Sequence, residues 1–487
     1  FNNTGVVNVN GGTLTVSGSG TNAGTVDVHG GATLLFNGNE TYTAGSLLTG
    51  AGTISFAGGT HTFPAGSLAP SGTLNFLGGT ITINNTIPVN TIANQLFGTV
   101  NFNANQTFPN VTLNGAVGGS GNLSFPSGVA LAGANLSGTG IATVPFGATA
   151  TLSTGTSTIG KVFEIGGTIN WTASNLNFNN GAINVLAGGV FNATGTGTLG
   201  NFGGSSTFNN AGTFNKSGGA TTCSIPFTNS GDVIVSGGSF TSTVGYVQTA
   251  GSTILGGGTF TKVGTAIALQ GGVLGGVGTL TGTVAQTGGS IAPGLSPGTL
   301  TVTGSLTQNA TSMLDIELGG LTPGTEHDRL AVSGAATIAG TLRLQFVNDF
   351  VPHFGDSFTV LTASSVNGTY ANVDVVGYPD CVASATYTGT SVTVVIESVP
   401  PTAVCKNIDV NLSAAGAVSI TASQVDNGSA DNCEIASLAV SPSSFTCANL
   451  GANIVTLTVN DHAQNVSTCQ AIVTVHDVTA PVITSFP

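Results

Sequence analysis

The chain has 487 residues, 75 of them glycine and only 5% charged, and its six lysines and arginines against 19 acidic residues leave a net charge of −13. Neutralising a phosphate backbone or an anionic bilayer needs clustered cations, and Lys161, Lys216, Lys262, Arg329, Arg343 and Lys406 are scattered, which excludes nucleic acid and anionic membrane surfaces as partners. Apolar residues reach 40%, enough for a core, so a disordered acidic chain is excluded too and the surface must be made of Thr, Ser, Asn and Gly. No apolar run approaches the ~20 residues that cross a bilayer. The chain starts at Phe1 with neither Met nor a signal peptide, as expected of a mature product or an excised piece.

From residue 1 to about residue 300 one unit repeats. Phe1, Asn3, Gly5, Val7, Val9 and Gly11-Gly12 return as Asn22, Gly24, Val26, Val28 and Gly30-Gly31, then again over Phe208–Gly219 and Phe227–Gly238. A related phrase, Gly-Thr followed by alternating apolar residues, marks Gly52–Phe56, Gly72–Phe76, Gly98–Phe102, Gly167–Trp171 and Gly298–Val302. Alternation with β-branched and aromatic residues predicts short strands, and the Gly, Asn and Ser clusters between them predict turns. A unit of about 20 residues with one apolar face must stack on copies of itself, so the expected fold is all-β: a right-handed parallel β-helix solenoid. Roughly thirteen rungs at ~4.8 Å would give a rod on the order of 60 Å. Asn3, Asn22, Asn210 and Asn229 are expected either in left-handed corners or in a side-chain ladder.

The wording changes after Gly271. Gly288–Leu306 (GGSIAPGLSPGTLTVTGSL), Met313–Leu318, Asp328–Gly334, Gly340–Leu344 and Phe358–Leu361 resemble the C-terminal end of the passenger β-helix of bacterial autotransporters and related surface adhesins. The resemblance covers about 100 residues and implies a β-helix that ends in a β-rich, sandwich-like cap on an exported protein; no membrane-embedded translocator barrel follows. The cap is expected over 301–398, where it would cover the open sheet edge of the last rung. Asp315, Glu317, Glu326, Asp328, Asp349 and Asp356 are expected to solvate that terminating face.

Pro400-Pro401 opens a third region, 399–478, and Pro481–Thr484 echoes Pro401–Val404, so 479–487 is expected to begin a further copy. Cys405, Cys433, Cys447 and Cys469 lie close together here, and clustering of this kind in a small β-rich module predicts disulfides and an oxidising compartment. Three pairings are open; Cys405 with Cys469 and Cys433 with Cys447 is preferred, because the first would tie the first strand to the last. Cys223 and Cys381 are expected to be buried free thiols. Asp431–Cys433, Phe445–Cys447, Val455–Asp461 and Ile472–Val475 resemble a hyalin-repeat (HYR-like) module, although the His-Tyr-Arg signature is absent and Gln464 precedes Asn465 where Gly is usual. That resemblance implies an immunoglobulin-like β-sandwich used in extracellular tandem arrays.

Candidate chemistry is sparse. Glycoside cleavage needs two acids about 5 to 10 Å apart, and the only acids before residue 300 are Asp27, Glu40, Glu164 and Asp232. Asp27 and Glu40 would sit on adjacent turns, whereas Glu164 and Asp232 are isolated. His29 and His61 are expected as solvated corner residues, and no catalytic residue is assigned. The Gly256–Gly258 and Gly271–Gly276 runs have no following helix and no P-loop Lys, so they are turns. Phe36, Tyr42, Phe56, Phe76, Phe102 and Trp171 suit a stacked core better than a sugar platform. In the third region Asp426, Asp431, Asn432, Asp461 and Asp477 offer oxygens for a calcium ion; the alternative places Asp426 and Asp461 in turns.

These features predict a non-enzymatic structural or adhesive rod or stalk of a large bacterial surface or secreted protein. Its ligand would be a glycan or protein, with tandem modules as neighbours. Two alternatives stay open: a polysaccharide-binding or polysaccharide-cleaving β-helix, and a self-assembling extracellular filament in which copies of the chain associate.

Overall fold

The computed structural model describes residues 1–89, 91–172, 174–353, 355–376, 383–396, 399–431, 435–461 and 464–480. It is a parallel β-solenoid of about 16 turns with a separate sheet near the C-terminus. The chain divides into one unit made of residues 1–295, 300–312 and 331–337, and a second made of 296–299, 313–330 and 338–487.

In the first unit each rung contributes strands to three faces. One rung runs Thr207–Asn210 on face B, Thr213–Lys216 on face C and Ala220–Cys223 on face A; the next runs Phe227–Asn229, Asp232–Val235 and Ser239–Ser242. Each strand pairs in parallel with its counterpart one rung on, as in Phe208↔Phe227 and Phe214↔Val233. Alternate residues point inward, so Phe36, Phe56, Phe76 and Phe102 are all fully buried, with the first three stacked at 5.3 and 5.9 Å between ring centroids. Burying one such side chain stabilises by about 1.5 to 3 kcal/mol. The packing expectation for the aromatics therefore holds.

Rung length varies. A short rung separates Thr99 from its partner Ala116, and a long one separates Ala182 from its partner Thr207. Short rungs, together with stacking that continues past residue 300, explain why the turns outnumber the thirteen expected from a uniform repeat.

The glycine of the repeat is needed for close stacking. A Cβ on Gly231 would stand 2.1 Å from Gly212 O, and one on Gly212 would stand 2.3 Å from Gly189 O. The second glycine of the Gly218-Gly219 and Gly237-Gly238 pairs has a different task, with φ of +60° at Gly219 and +65° at Gly238, in the left-handed region that L side chains avoid.

Face B is interrupted once. Its first four strands end at Leu68–Pro70 and its next thirteen start at Gln106–Thr107. In the gap, Asn85 Nδ2 donates to Leu68 O (2.9 Å), while the Gln106 amide accepts from Ile87 N (2.9 Å) and donates to Ile87 O (2.8 Å). Pro88, which has no N–H to give, follows directly. Side-chain amides thus replace the missing ladder bonds.

In the second unit, parallel stacking continues past residue 300: Met313 pairs with Thr341 and Thr341 with Asn372. Ahead of the C-terminal module, an antiparallel bridge joins Leu318 and His327, and antiparallel ladders form where Ser391–Ile396 lies between Ser357–Thr362 and Ala383–Tyr387. Over 301–398 parallel stacking therefore dominates, and the antiparallel ladders involve Ser357–Thr362, Ala383–Tyr387 and Ser391–Ile396.

The C-terminal module sets a four-stranded sheet of Ile408–Asn411, Val466–His476, Gly451–Asp461 and Ile435–Ser441 with a two-stranded one of Ala417–Ser419 and Ser444–Thr446. Leu412, Ile420, Val425, Phe445, Val455, Ala471, Val473 and Val475 form its core. The first strand pairs in parallel with the last, and Cys405 is disulfide-bonded to Cys469, as expected.

Candidate functional site

Asp27 and Glu40, expected on adjacent turns, lie on different faces. Asp27 points outward from face B, 3.5 Å from His29. Glu40 points inward from face A, where its neighbour one rung on is His61. Less than a full rung of chain separates the two acids, so they cannot occupy adjacent positions on one face. Asp232 is occupied by Ser252 Oγ (2.7 Å).

His61 is not a solvated corner residue. It is fully buried, its ring edge-on to Phe36 (5.2 Å) and Phe56 (4.8 Å), and its Nε2 lies 3.1 Å from Gly58 O. Burial holds it below the ordinary histidine range and pushes the Glu40 carboxyl up. Tyr42, also buried, packs against Phe63 at 4.1 Å, and burial raises its phenol well above its usual range. Glu40, Tyr42, Thr41, Thr60 and Thr62 contribute to an open cleft of about 670 Å³. No hydrogen bond joins the Glu40 and His61 side chains, and the Glu40 carboxylate lies 3.6 Å from the Phe1 amino group. The pair lacks the second carboxylate of a glycosidase, and the chain's two arginines come long after it, at 329 and 343.

The solenoid interior instead directs its polar groups at one another. Asn3 Nδ2 donates to Asn22 Oδ1 (2.8 Å) and Thr25 O (3.1 Å) while its Oδ1 accepts from Gly5 N (3.0 Å). Asn210 Nδ2 repeats this with Asn229 Oδ1 (2.8 Å) and Asp232 O (3.0 Å), and Asn229 Nδ2 goes on to Ser252 O (2.9 Å). One rung on, the row carries Gln248; Leu269 interrupts it, and Gln286 and Gln308 resume it, with Gln308 Nε2 donating to Gln286 Oε1 at 2.9 Å. Of the two roles expected for the asparagines, the ladder is the one adopted.

Three buried lysines escaped the sequence reading. Lys216 is wholly enclosed and donates to the carbonyls of Ala193 (3.2 Å), Gly195 (3.0 Å) and Gly218. Lys262 donates to Val244 O and Val263 O. Lys161 is 2% exposed, and burial lowers its ammonium to about 8. The signal lay in phase: Lys216 and Lys262 each fall two residues after an inward phenylalanine.

The acids after residue 300 do not simply solvate a face. Asp315 forms an ion pair with Arg343, and Glu326 accepts from Thr322 N (2.8 Å). Asp328 is buried and accepts from Gly298 N (2.7 Å) and Glu317 N (2.9 Å); burial pushes its carboxyl up to about 7.

Three of the residues offered for calcium accept hydrogen bonds from groups two to four residues on. Asp426 accepts from Ser429 N (3.0 Å) and Ser429 Oγ (2.5 Å), and Asp461 from Asn465 N (2.7 Å) and Nδ2 (2.6 Å). Asp477 accepts from Thr479 N (3.0 Å). Asn432 lies outside the described residues and Asp431 is engaged in contacts of its own. Among the described residues no group of three or more His, Cys, Asp or Glu could hold a metal ion. Cys223 is buried and free, with burial raising its thiol to about 12. Cys447 is exposed and unbridged among the described residues; Cys433, its expected partner, and Cys381 lie outside them. No helix among the described residues is long and apolar enough to cross a membrane. Compared with known proteins, the sequence matches no family model and no curated protein at a significant level.

Proposed function

We propose that this chain is a non-enzymatic structural segment, a rod or stalk with adhesive outer surfaces, of a secreted or surface-anchored bacterial protein. The observation that carries the reading is the Asn210–Asn229 ladder: its amides donate to neighbouring rungs, which leaves those donors unavailable to a substrate. The Cys405–Cys469 disulfide supports an oxidising, extracellular setting. The resemblances to adhesin passengers and to HYR-like modules agree with this placement, in which further modules flank the chain. The test is an assay of reducing ends released from a panel of polysaccharides. No turnover is expected; turnover that falls in Glu40→Gln or Asp27→Asn overturns the reading in favour of a polysaccharide-cleaving enzyme.

A further inference from the structure

A stretch of face A carries a two-dimensional grid of hydroxyls. Four successive strands present the pairs Ser239 and Thr241, Thr259 and Thr261, Thr279 and Thr281, and Thr301 and Thr303. The backbone register places them in two straight rows: Ser239↔Thr259↔Thr279↔Thr301, and Thr222↔Thr241↔Thr261↔Thr281↔Thr303. Between the rows, Phe240, Phe260, Leu280 and Val302 point inward and are fully buried, so the floor of the grid is packed.

Two observations bear on what the grid contacts. Among the described residues only Thr303 gives its hydroxyl to the protein, at 3.4 Å from Leu280 O, and the others are left for solvent. The grid is also uncharged. The one cation on these strands, Lys262, turns inward onto the Val244 and Val263 carbonyls, and the chain's acids lie elsewhere.

The spacings select a partner. Rungs repeat at ~4.8 Å, and residues two apart on a strand at ~6.6 Å. In tetrahedral hydrogen-bonded water with O···O of ~2.75 Å, second neighbours lie about 4.5 Å apart and the puckered layers repeat at about 7.3 Å. The grid matches both repeats to within roughly a tenth. Threonine suits the task because its β-branched side chain is stiff at χ1, so the hydroxyls and methyls hold their positions without loss of rotamer entropy on contact.

We propose that this part of face A, from Thr222 to Thr303, is a binding surface for the oxygen lattice of ice. An uncharged crystal of water complements an uncharged face, and each row extends the contact by one lattice step per rung. The proposal is independent of the spacer role.

The test grows ice slowly from a dilute solution of the full chain and measures the share of protein recovered in the ice. Wild type is expected in the ice fraction. The double variant Thr261→Tyr, Thr281→Tyr, which breaks one row, is expected to be lost from it, while Thr228→Tyr on face B stays incorporated. Unchanged circular dichroism melts show that the variants fold, and Thr261→Ser, Thr281→Ser, which keeps the hydroxyls, is expected to retain part of the incorporation. Exclusion of wild type from the ice, equal incorporation of the row variant, or recovery on microcrystalline cellulose in place of ice each overturns the proposal.

Discussion

Replacing Asn210 by leucine tests whether the inward amides hold neighbouring rungs together. The side chain is 1% exposed, and its Nδ2 serves two acceptors, Asn229 Oδ1 and Asp232 O. Leucine fills the volume but takes this donor from the buried Asn229 Oδ1 and the part-buried Asp232 O, at about 1 to 3 kcal/mol each. Asn210 Oδ1 has no partner of its own, so its removal offsets part of that cost, and the expected net loss is about 3 kcal/mol. In a solenoid such a loss is local, because each rung contacts only its neighbours. The assay is therefore hydrogen exchange read by mass spectrometry on peptides spanning 207–235, where protection should fall about 100-fold, at tenfold per 1.4 kcal/mol. Peptides spanning 53–83 should not change. Asn229→Leu removes the donor to Ser252 O and the same Nδ2 to Oδ1 bond, so the double variant should lose about 1 kcal/mol less than the sum of the singles. Unchanged exchange over 207–235 in Asn210→Leu, or strict additivity in the pair, would refute the ladder as a source of stability.

Other perturbations follow from the same geometry. Gly231→Ala should destabilise its region by about 1 to 3 kcal/mol through overpacking against Gly212 O, whereas Gly11→Ala, with nothing within 4 Å, should be nearly silent; urea unfolding compares them. Asp328 has a folded value of about 7, above its unfolded 3.8, so the folded state retains a proton that the unfolded state loses. Its contribution to stability should be intact below pH 4 and decline up to about pH 7, by at most ~1.4 kcal/mol per pH unit, and the decline should vanish in Asp328→Asn. Urea midpoints against pH measure both, and a wild-type profile parallel to that of the variant would count against the buried carboxyl. Reducing the Cys405–Cys469 disulfide, which closes a loop of 64 residues, should destabilise the C-terminal module by about 4 kcal/mol and leave the solenoid's melting transition in place, as calorimetry with and without reductant can show.

The strands and their stacking could be read in the sequence because alternation and repeat length are local properties. His61 shows where that reading was incomplete: it is two residues before the inward Phe63, so its phase already placed it in the core, but histidine's polarity suggested a surface position. Lys216 and Lys262 were hidden for the same reason: each is a cation in an inward phase, held there by backbone carbonyls that include those of the preceding rung. The start of the antiparallel cap was not legible, because alternation is the same for parallel and antiparallel strands and only the partner distinguishes them. The hydroxyl grid required register: the Thr-x-Thr pairs are visible one strand at a time, but their alignment into rows depends on rung lengths that vary.

The repeated phrase around asparagine is tied to a corner and not to a particular face. Asn3 makes its Nδ2 bonds where face A turns into face B, yet Asn210 makes the matching Nδ2 bonds where face B turns into face C. A corner needs a donor for the carbonyl of the next rung and a glycine where successive backbones approach, and either corner can use the same set. The rung can then lengthen, from the short step between Thr99 and Ala116 to the long one between Ala182 and Thr207, without disturbing its core, because the extra residues leave at corners while the inward positions keep their phase. This division has a consequence for recognition. The inward half of each strand is committed to apolar stacking and to amide and lysine bonds between rungs, so variation that leaves folding intact is confined to the outward half and to the loops. Rows such as Thr241, Thr261, Thr281 and Thr303 lie in that outward half, where the solenoid converts a choice made at one position per rung into a surface with the periodicity of its backbone.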